Sequence, residues 1–75
     1  MTKALMLIKS SYGGALLISD EAKKIPGVKD AYPVFGRYDV VVFIEEADYQ
    51  AAKAVAAKVA QLEGVRSTET LPEGD

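Results

Sequence analysis

Two hydrophobic periods alternate along this chain, and the switches between them divide it into six segments. Ala4 to Ile8 is a run of five apolar residues between Lys3 and Lys9, the length of a strand rather than a helix. Ser10-Ser11-Tyr12-Gly13-Gly14 is a polar, Gly-rich turn in which either Ser could cap the next segment. From about Gly14 to Lys24, Ile18, Ala22 and Ile25 recur at i, i+4 and i+7, one stripe of a helix. Lys23 and Lys24 fall in its last turn, where cations suit the dipole, and Pro26-Gly27 stops it. Val28 to Phe35 and Asp39 to Glu45 are rich in β-branched and aromatic residues and read as two strands. The join between them, Gly36-Arg37-Tyr38-Asp39, reads as a tight hairpin with Gly36 free to take positive φ. Asp48 then caps a second helix through Glu63, with Ala52, Val55, Ala56, Val59 and Leu62 on one face. Gly64 ends it, and Val65 to Leu71 alternates as a half-exposed edge strand. Pro72-Glu73-Gly74-Asp75 is expected to fray.

The chain also repeats itself. Ile25-Pro26-Gly27-Val28-Lys29 closes one helix and opens a strand, and Leu62-Glu63-Gly64-Val65-Arg66 does the same later. The order is β-α-β-β-α-β, two split βαβ units, which predicts an α+β, ferredoxin-like fold. Right-handed crossovers place both helices on one face of a four-stranded antiparallel sheet in the spatial order 4-1-3-2. The two central strands are apolar on both sides: Ala4, Met6, Ile8 against Leu5, Leu7, and Val40, Val42, Ile44 against Val41, Phe43. Two helices cover only one of those sides. A sheet with a wet face should alternate, so the second face is expected to be covered by another copy of the sheet, a dimeric α/β sandwich.

Composition narrows the function. Seventy-five residues predict a single domain, 1–75. The net charge of -2 and the scattered Lys and Arg argue against a nucleic-acid surface, which needs clustered cations. With no His and no Cys, the commonest general base, the thiolate nucleophile and the usual zinc ligands other than carboxylates are missing. No enzyme, metal or cofactor is expected. The short N-terminal apolar run has neither the length of a membrane span nor a signal-peptide cleavage site, so a cytoplasmic location is the default.

The run Ile25 to Val42, with its Gly36-Arg37-Tyr38-Asp39 hairpin, and the last strand Gly64-Val65-Arg66-Ser67-Thr68-Glu69-Thr70 resemble the ligand-binding domain of the Lrp/AsnC family. That module, also called RAM, is the C-terminal half of bacterial and archaeal transcription regulators. The resemblance implies face-to-face homodimers, often octamers of four dimers, and a small effector, commonly an amino acid, held between dimers. The regulators carry an N-terminal helix-turn-helix, whereas this chain starts at the first strand. It therefore resembles a stand-alone form that acts through partners, full-length regulators among them, rather than on DNA directly. Two alternatives stand beside it. One is a purely structural hetero-oligomerisation partner; the other is a small dimeric α/β-barrel enzyme, such as a monooxygenase or isomerase, using Tyr and Asp.

The candidate ligand-binding residues are Gly36, Tyr38, Asp39, Thr68 and Thr70. The Gly36 turn can offer backbone N–H groups to a carboxylate, Asp39 can accept an ammonium, and the two Thr hydroxyls can add contacts while Tyr38 walls the pocket. Each has a plainer reading. Gly36 can serve only the hairpin, Asp39 can be a backbone-bonding turn residue, and β-branched Thr simply suits an edge strand. Adjacent on a strand, Tyr38 and Asp39 are expected to point to opposite faces. Glu45, Glu46 and Asp48 lack EF-hand spacing and read as a solvated turn with a helix cap. The Ser10 to Gly14 turn lacks phosphate-loop spacing and reads as a loop.

Overall fold

In the computed structural model, which describes residues 1–11 and 13–73, the elements run β1 (Thr2–Ser10), α1 (Ala15–Lys23), β2 (Val28–Pro33), β3 (Val40–Glu46), α2 (Tyr49–Ala60) and β4 (Val65–Pro72). The sheet order is β2-β3-β1-β4, all pairs antiparallel, with no departure from the expected ferredoxin-like arrangement. Tyr12 of the expected turn and Gly74-Asp75 of the expected frayed end lie outside the described residues.

β1 exceeds its apolar run at both ends because it is paired on both sides. It meets β3 from Thr2↔Glu46 to Ile8↔Val40 and β4 from Ala4↔Pro72 to Ser10↔Val65. The same pairing draws Pro72 into β4, and the Glu73 N–H donates to the Lys3 carbonyl at 2.8 Å, so the expected fraying does not begin at Pro72. α2 ends at Ala60 rather than Glu63, the last residues tightening into a turn before Gly64 at φ 93°. Asp48 caps α2 as expected, its Oδ1 accepting from the Ala51 N–H at 2.8 Å. α1 has Gly14 at its N-cap and no side-chain cap, so neither Ser10 nor Ser11 plays that part.

Alternation on the central strands sorts the two sheet faces. Ala4, Met6 and Ile8 of β1 and Val40, Val42 and Ile44 of β3 are buried beneath the helices. They pack with Ile18 and Ala22 of α1 and with Ala52, Val55 and Val59 of α2. Ser19, the one buried polar side chain among the described residues, donates its hydroxyl to the Leu16 carbonyl at 2.8 Å, so its burial leaves its hydroxyl paired. The opposite face carries Leu5 and Leu7, Val41 and Phe43, Tyr32 and Leu71 in register across the four strands. Tyr32, Phe43 and Leu71 on it are 43%, 37% and 45% exposed, and no helix of this chain lies over them. The two-sided apolar character of the central strands is thus real, and one side is open.

The join between β2 and β3 is not a tight turn. β2 stops at Pro33, and residues 34–39 form a six-residue loop closed by the Val34 N–H donating to the Asp39 carbonyl at 2.9 Å. Pro33 has no N–H with which to continue the ladder, which ends the strand two residues earlier than its apolar run suggests. Gly36 takes φ 118° in this loop, as expected.

Candidate functional site

The loop 34–39 is fastened from its Asp39 end. The Asp39 N–H donates to the Ile8 carbonyl at 2.8 Å, and Asp39 Oδ2 accepts from the Ser10 N–H at 2.8 Å. One aspartate therefore ties the loop to the end of β1 with both main chain and side chain. The turn-residue reading of Asp39 holds, and it leaves Oδ1 without a hydrogen-bond partner among the described residues. Tyr38 is tied separately. Its hydroxyl donates to Glu69 Oε1 at 3.0 Å, and that hydrogen bond raises the phenol above its ordinary value of 10.0, with slight desolvation and the nearby negative charge adding to it.

Tyr38 and Asp39 precede β3 and lie in the loop, so strand alternation does not govern where they point, contrary to expectation. Between the two anchors, the amides of residues 35–38 donate to nothing among the described residues. Phe35 at the tip is fully exposed, and a Cβ built on Gly36 would meet nothing within 4 Å. Gly36 is there for its positive φ; no atom of its own chain crowds it.

The five residues singled out from sequence do not converge on one chain. Gly36, Tyr38 and Asp39 share the loop. Thr68 and Thr70 pair with Ile8 and Met6, so they leave β4 on the helix side of the sheet. Glu69 pairs with Leu7 and leaves on the open side, where Tyr38 reaches it. Sequence reasoning missed Glu69. Its alternation with the two Thr was visible, but the β1–β4 register that carries it to Tyr38 was not. Asp48 caps α2 as expected, but Glu45 and Glu46 do not form the expected turn: β3 runs through Glu46, and the Glu45 carboxylate pairs with Lys29 at 3.1 Å, a hydrogen-bonded cation that lowers its carboxyl below the usual value. No group of three or more metal-ligating side chains forms among the described residues.

Chemically, the loop leaves the amides of residues 35–38 and Asp39 Oδ1 without hydrogen-bond partners among the described residues. Such donors and such an acceptor can meet an anionic and a cationic group.

This fold, with its anchored Gly-Arg-Tyr-Asp loop and its exposed Thr-bearing edge strand, defines a class. The model of the Lrp/AsnC ligand binding domain matches residues 4–72, and the chain belongs to that family. No curated protein matches it by sequence. Among solved structures, TTHA0845 from Thermus thermophilus is 29% identical, with TM-score 0.91, over 100% of this chain and 95% of that one. The hypothetical protein PHS023 from Pyrococcus horikoshii is 24% identical, with TM-score 0.88, over 97% and 89%. An AsnC family transcriptional regulator from Agrobacterium tumefaciens is 17% identical, with TM-score 0.80, and matches 99% of this chain but 50% of its own. At those identities the last two speak for the fold alone.

Proposed function

We propose that this chain is a sensing and assembly module of Lrp/AsnC type, whose effector is an α-amino acid bound at the 34–39 loop. Its influence on transcription passes through partner proteins, not through its own contact with DNA. The observation that carries the effector reading is the loop itself. Its free amides suit a carboxylate, Asp39 Oδ1 suits an ammonium, and the Asp39 and Tyr38 bonds hold the loop before any ligand arrives. Thr68 and Thr70, on the other side of β4, would join such a site only from a neighbouring molecule, which links binding to assembly.

Isothermal titration against the twenty common amino acids tests this. One of them should bind with roughly micromolar to millimolar affinity, about -8 to -4 kcal/mol. Asp39→Asn keeps an oxygen for the Ser10 amide but removes the charge, and it should weaken binding about tenfold or more. If wild type binds none, or Asp39→Asn binds as wild type does, the effector reading of this loop is wrong.

The open sheet face supports a second reading, a module that only assembles. Six apolar side chains lie in register on it with no cover from their own chain, and a second copy of the face is the simplest cover. Light scattering should give at least twice the 8.0 kDa of one chain. Phe43 stands on the open face, so Phe43→Glu should lower that mass. A dimer that binds no amino acid would favour this reading. With a net charge of -2 the chain should not retard duplex DNA at physiological salt in either case.

A further inference from the structure

A protruding apolar residue and an apolar trough lie at opposite ends of this molecule. Phe35, at the tip of the 34–39 loop, is fully exposed although Asp39 and Tyr38 tie the loop down around it. A phenyl ring held out on a fixed loop suits an interface anchor, because burying it costs little conformational entropy. Arg37, two residues on, is exposed and makes no ion pair among the described residues. The bond from Tyr38 to Glu69 draws this part of the loop toward the open side of the sheet.

At the other end of the open face, Phe43, Leu5 and Leu71 floor a trough. Three carboxylates line it, Asp30, Glu45 and Glu73, against the two ammonium groups of Lys3 and Lys29. Lys29 is taken by Glu45, and Lys3 is the cross-strand partner of the same Glu45. Asp30, opposite Phe43 on β2, makes no ion pair among the described residues. The trough therefore suits an apolar group that arrives with a cation.

The pairing of the strands shows how a second copy brings one. The apolar side chains of the open face form two rows, Leu71, Leu5 and Phe43, then Leu7, Val41 and Tyr32. A two-fold axis across the strands, at the level of the Met6↔Val42 pair between the rows, lays each row on the other row of a second copy. It also turns the copies end for end, so each 34–39 loop comes over the β2–β3 side of the other's trough. A two-fold along the strands would instead bring each loop over the start of the other's β4, Arg37 toward Arg66. Like charges disfavour that arrangement.

We infer that two copies of this chain pair end for end through their open faces, Phe35 of each seated in the partner's trough and Arg37 paired with the partner's Asp30. This arrangement rests on the assembly reading of the open face, and adds to it an orientation and a reciprocal anchor. It does not depend on an effector.

Sedimentation equilibrium of the full chain tests it. Arg37→Asp and Asp30→Arg each set like charges at both contacts of a homodimer, and each should weaken it about tenfold or more. Mixed in equal amounts, the two variants should regain the lost affinity, because the mixed dimer has opposite charges at both contacts. Phe35→Ala should weaken the dimer about fivefold or more. All three side chains are exposed, so the circular dichroism of each variant should match that of wild type. A wild type that stays monomeric at every concentration defeats the assembly reading itself, and this arrangement with it. A wild-type dimer that neither charge reversal weakens, or a mixture no stronger than either variant alone, leaves the assembly reading standing and overturns this arrangement.

Discussion

The two halves of this chain make the same turn in two different surroundings. After α1, Lys24, Ile25 and Val28 donate their N–H groups to Glu21, Ala22 and Ile25; after α2, Gln61, Leu62 and Val65 donate to Lys58, Val59 and Leu62. Gly27 and Gly64 hold the same place in each, at φ 100° and 93°. The local code is repeated, bond for bond. The environment is not. A Cβ on Gly27 would run into the Glu46 carboxylate and come within 2.6 Å of Val55 Cγ2, whereas one on Gly64 would rest 3.5 Å from Ile18 Cδ1. In the first half, α1 lies over β2 and buries Ala31; in the second, α2 lies mainly over β3 and β1 and leaves every residue of β4 at least partly exposed. The repeat fixes the turn, while the packing decides what the turn is for. The first half closes the core, and the second leaves an edge open with Thr68, Glu69 and Thr70 on it.

The largest effect should come from breaking that symmetry at the glycines. Gly64→Ala forces a side chain into positive φ, at about 1–2 kcal/mol. Gly27→Ala adds overpacking against Val55, a core side chain that cannot swing away, for a total of about 2–5 kcal/mol. At fixed protein concentration the melting temperature should fall roughly 4–8 °C per kcal/mol, and further for Gly27→Ala than for Gly64→Ala. Equal losses would mean that the two turns are energetically alike and that the crowding at Gly27 relaxes freely.

That contrast also marks how far the sequence could be read. Period and punctuation carry the six elements, their order, the strand neighbours and the two-sided apolar core strands, because each depends on residues close in the chain. The loop between β2 and β3 was half legible. Gly36 announced positive φ, but the way Pro33 ends β2 and Asp39 reaches to Ser10 depends on β1 lying alongside. The site was least legible. That Thr68 and Thr70 leave β4 on the side away from Tyr38 emerges only from pairing Thr68 with Ile8 and Glu69 with Leu7. A one-residue slip would have reversed it.

A smaller difference lies at the helix starts. α2 has a side-chain cap in Asp48, while α1 begins at Gly14 with none. Asp48→Ala should therefore cost about 1 kcal/mol, the usual worth of such a cap, read from chemical denaturation. The first half has no matching residue to remove. If Asp48→Ala leaves stability unchanged, α2 is held by its buried face alone.

Acid should act on one edge more than the other. Lys29, on β2, holds the Glu45 carboxyl below its ordinary value of 4.5. A carboxyl lowered by folding contributes stability that is present above that ordinary value and is lost as pH falls through the lowered one. Stability of the wild type should therefore decline from about pH 5 downward more steeply than that of Lys29→Met, in which the pairing is gone. Parallel declines would assign the acid sensitivity to other carboxylates.

The smallest effect is expected where the second half meets the loop. Tyr38→Phe removes the hydroxyl that bonds Glu69 and keeps the ring. The bond is solvent-exposed at both ends, and water replaces either partner readily, so global stability should hardly move. Its consequence should be local. Asp39 fastens one end of the loop through Ile8 and Ser10, and Tyr38 is the tie between that loop and the open β4 edge. Losing it should speed hydrogen exchange at the bonded amides that hold the loop, Val34, Asp39 and Ser10, and at Glu69's neighbours on β4, while Ile8 and Val40 in the core stay protected. The same tie is lost when the phenol ionises. Because the bond raises the Tyr38 value above 10.0, its contribution persists below that pH and disappears as pH rises through the raised value. Wild type at high alkalinity should then come to match Tyr38→Phe in the local exchange pattern, once the base-catalysed intrinsic rate is divided out. If exchange at Val34, Asp39 and Ser10 is the same in both proteins at neutral pH, Asp39 alone holds the loop and Tyr38 adds nothing to it.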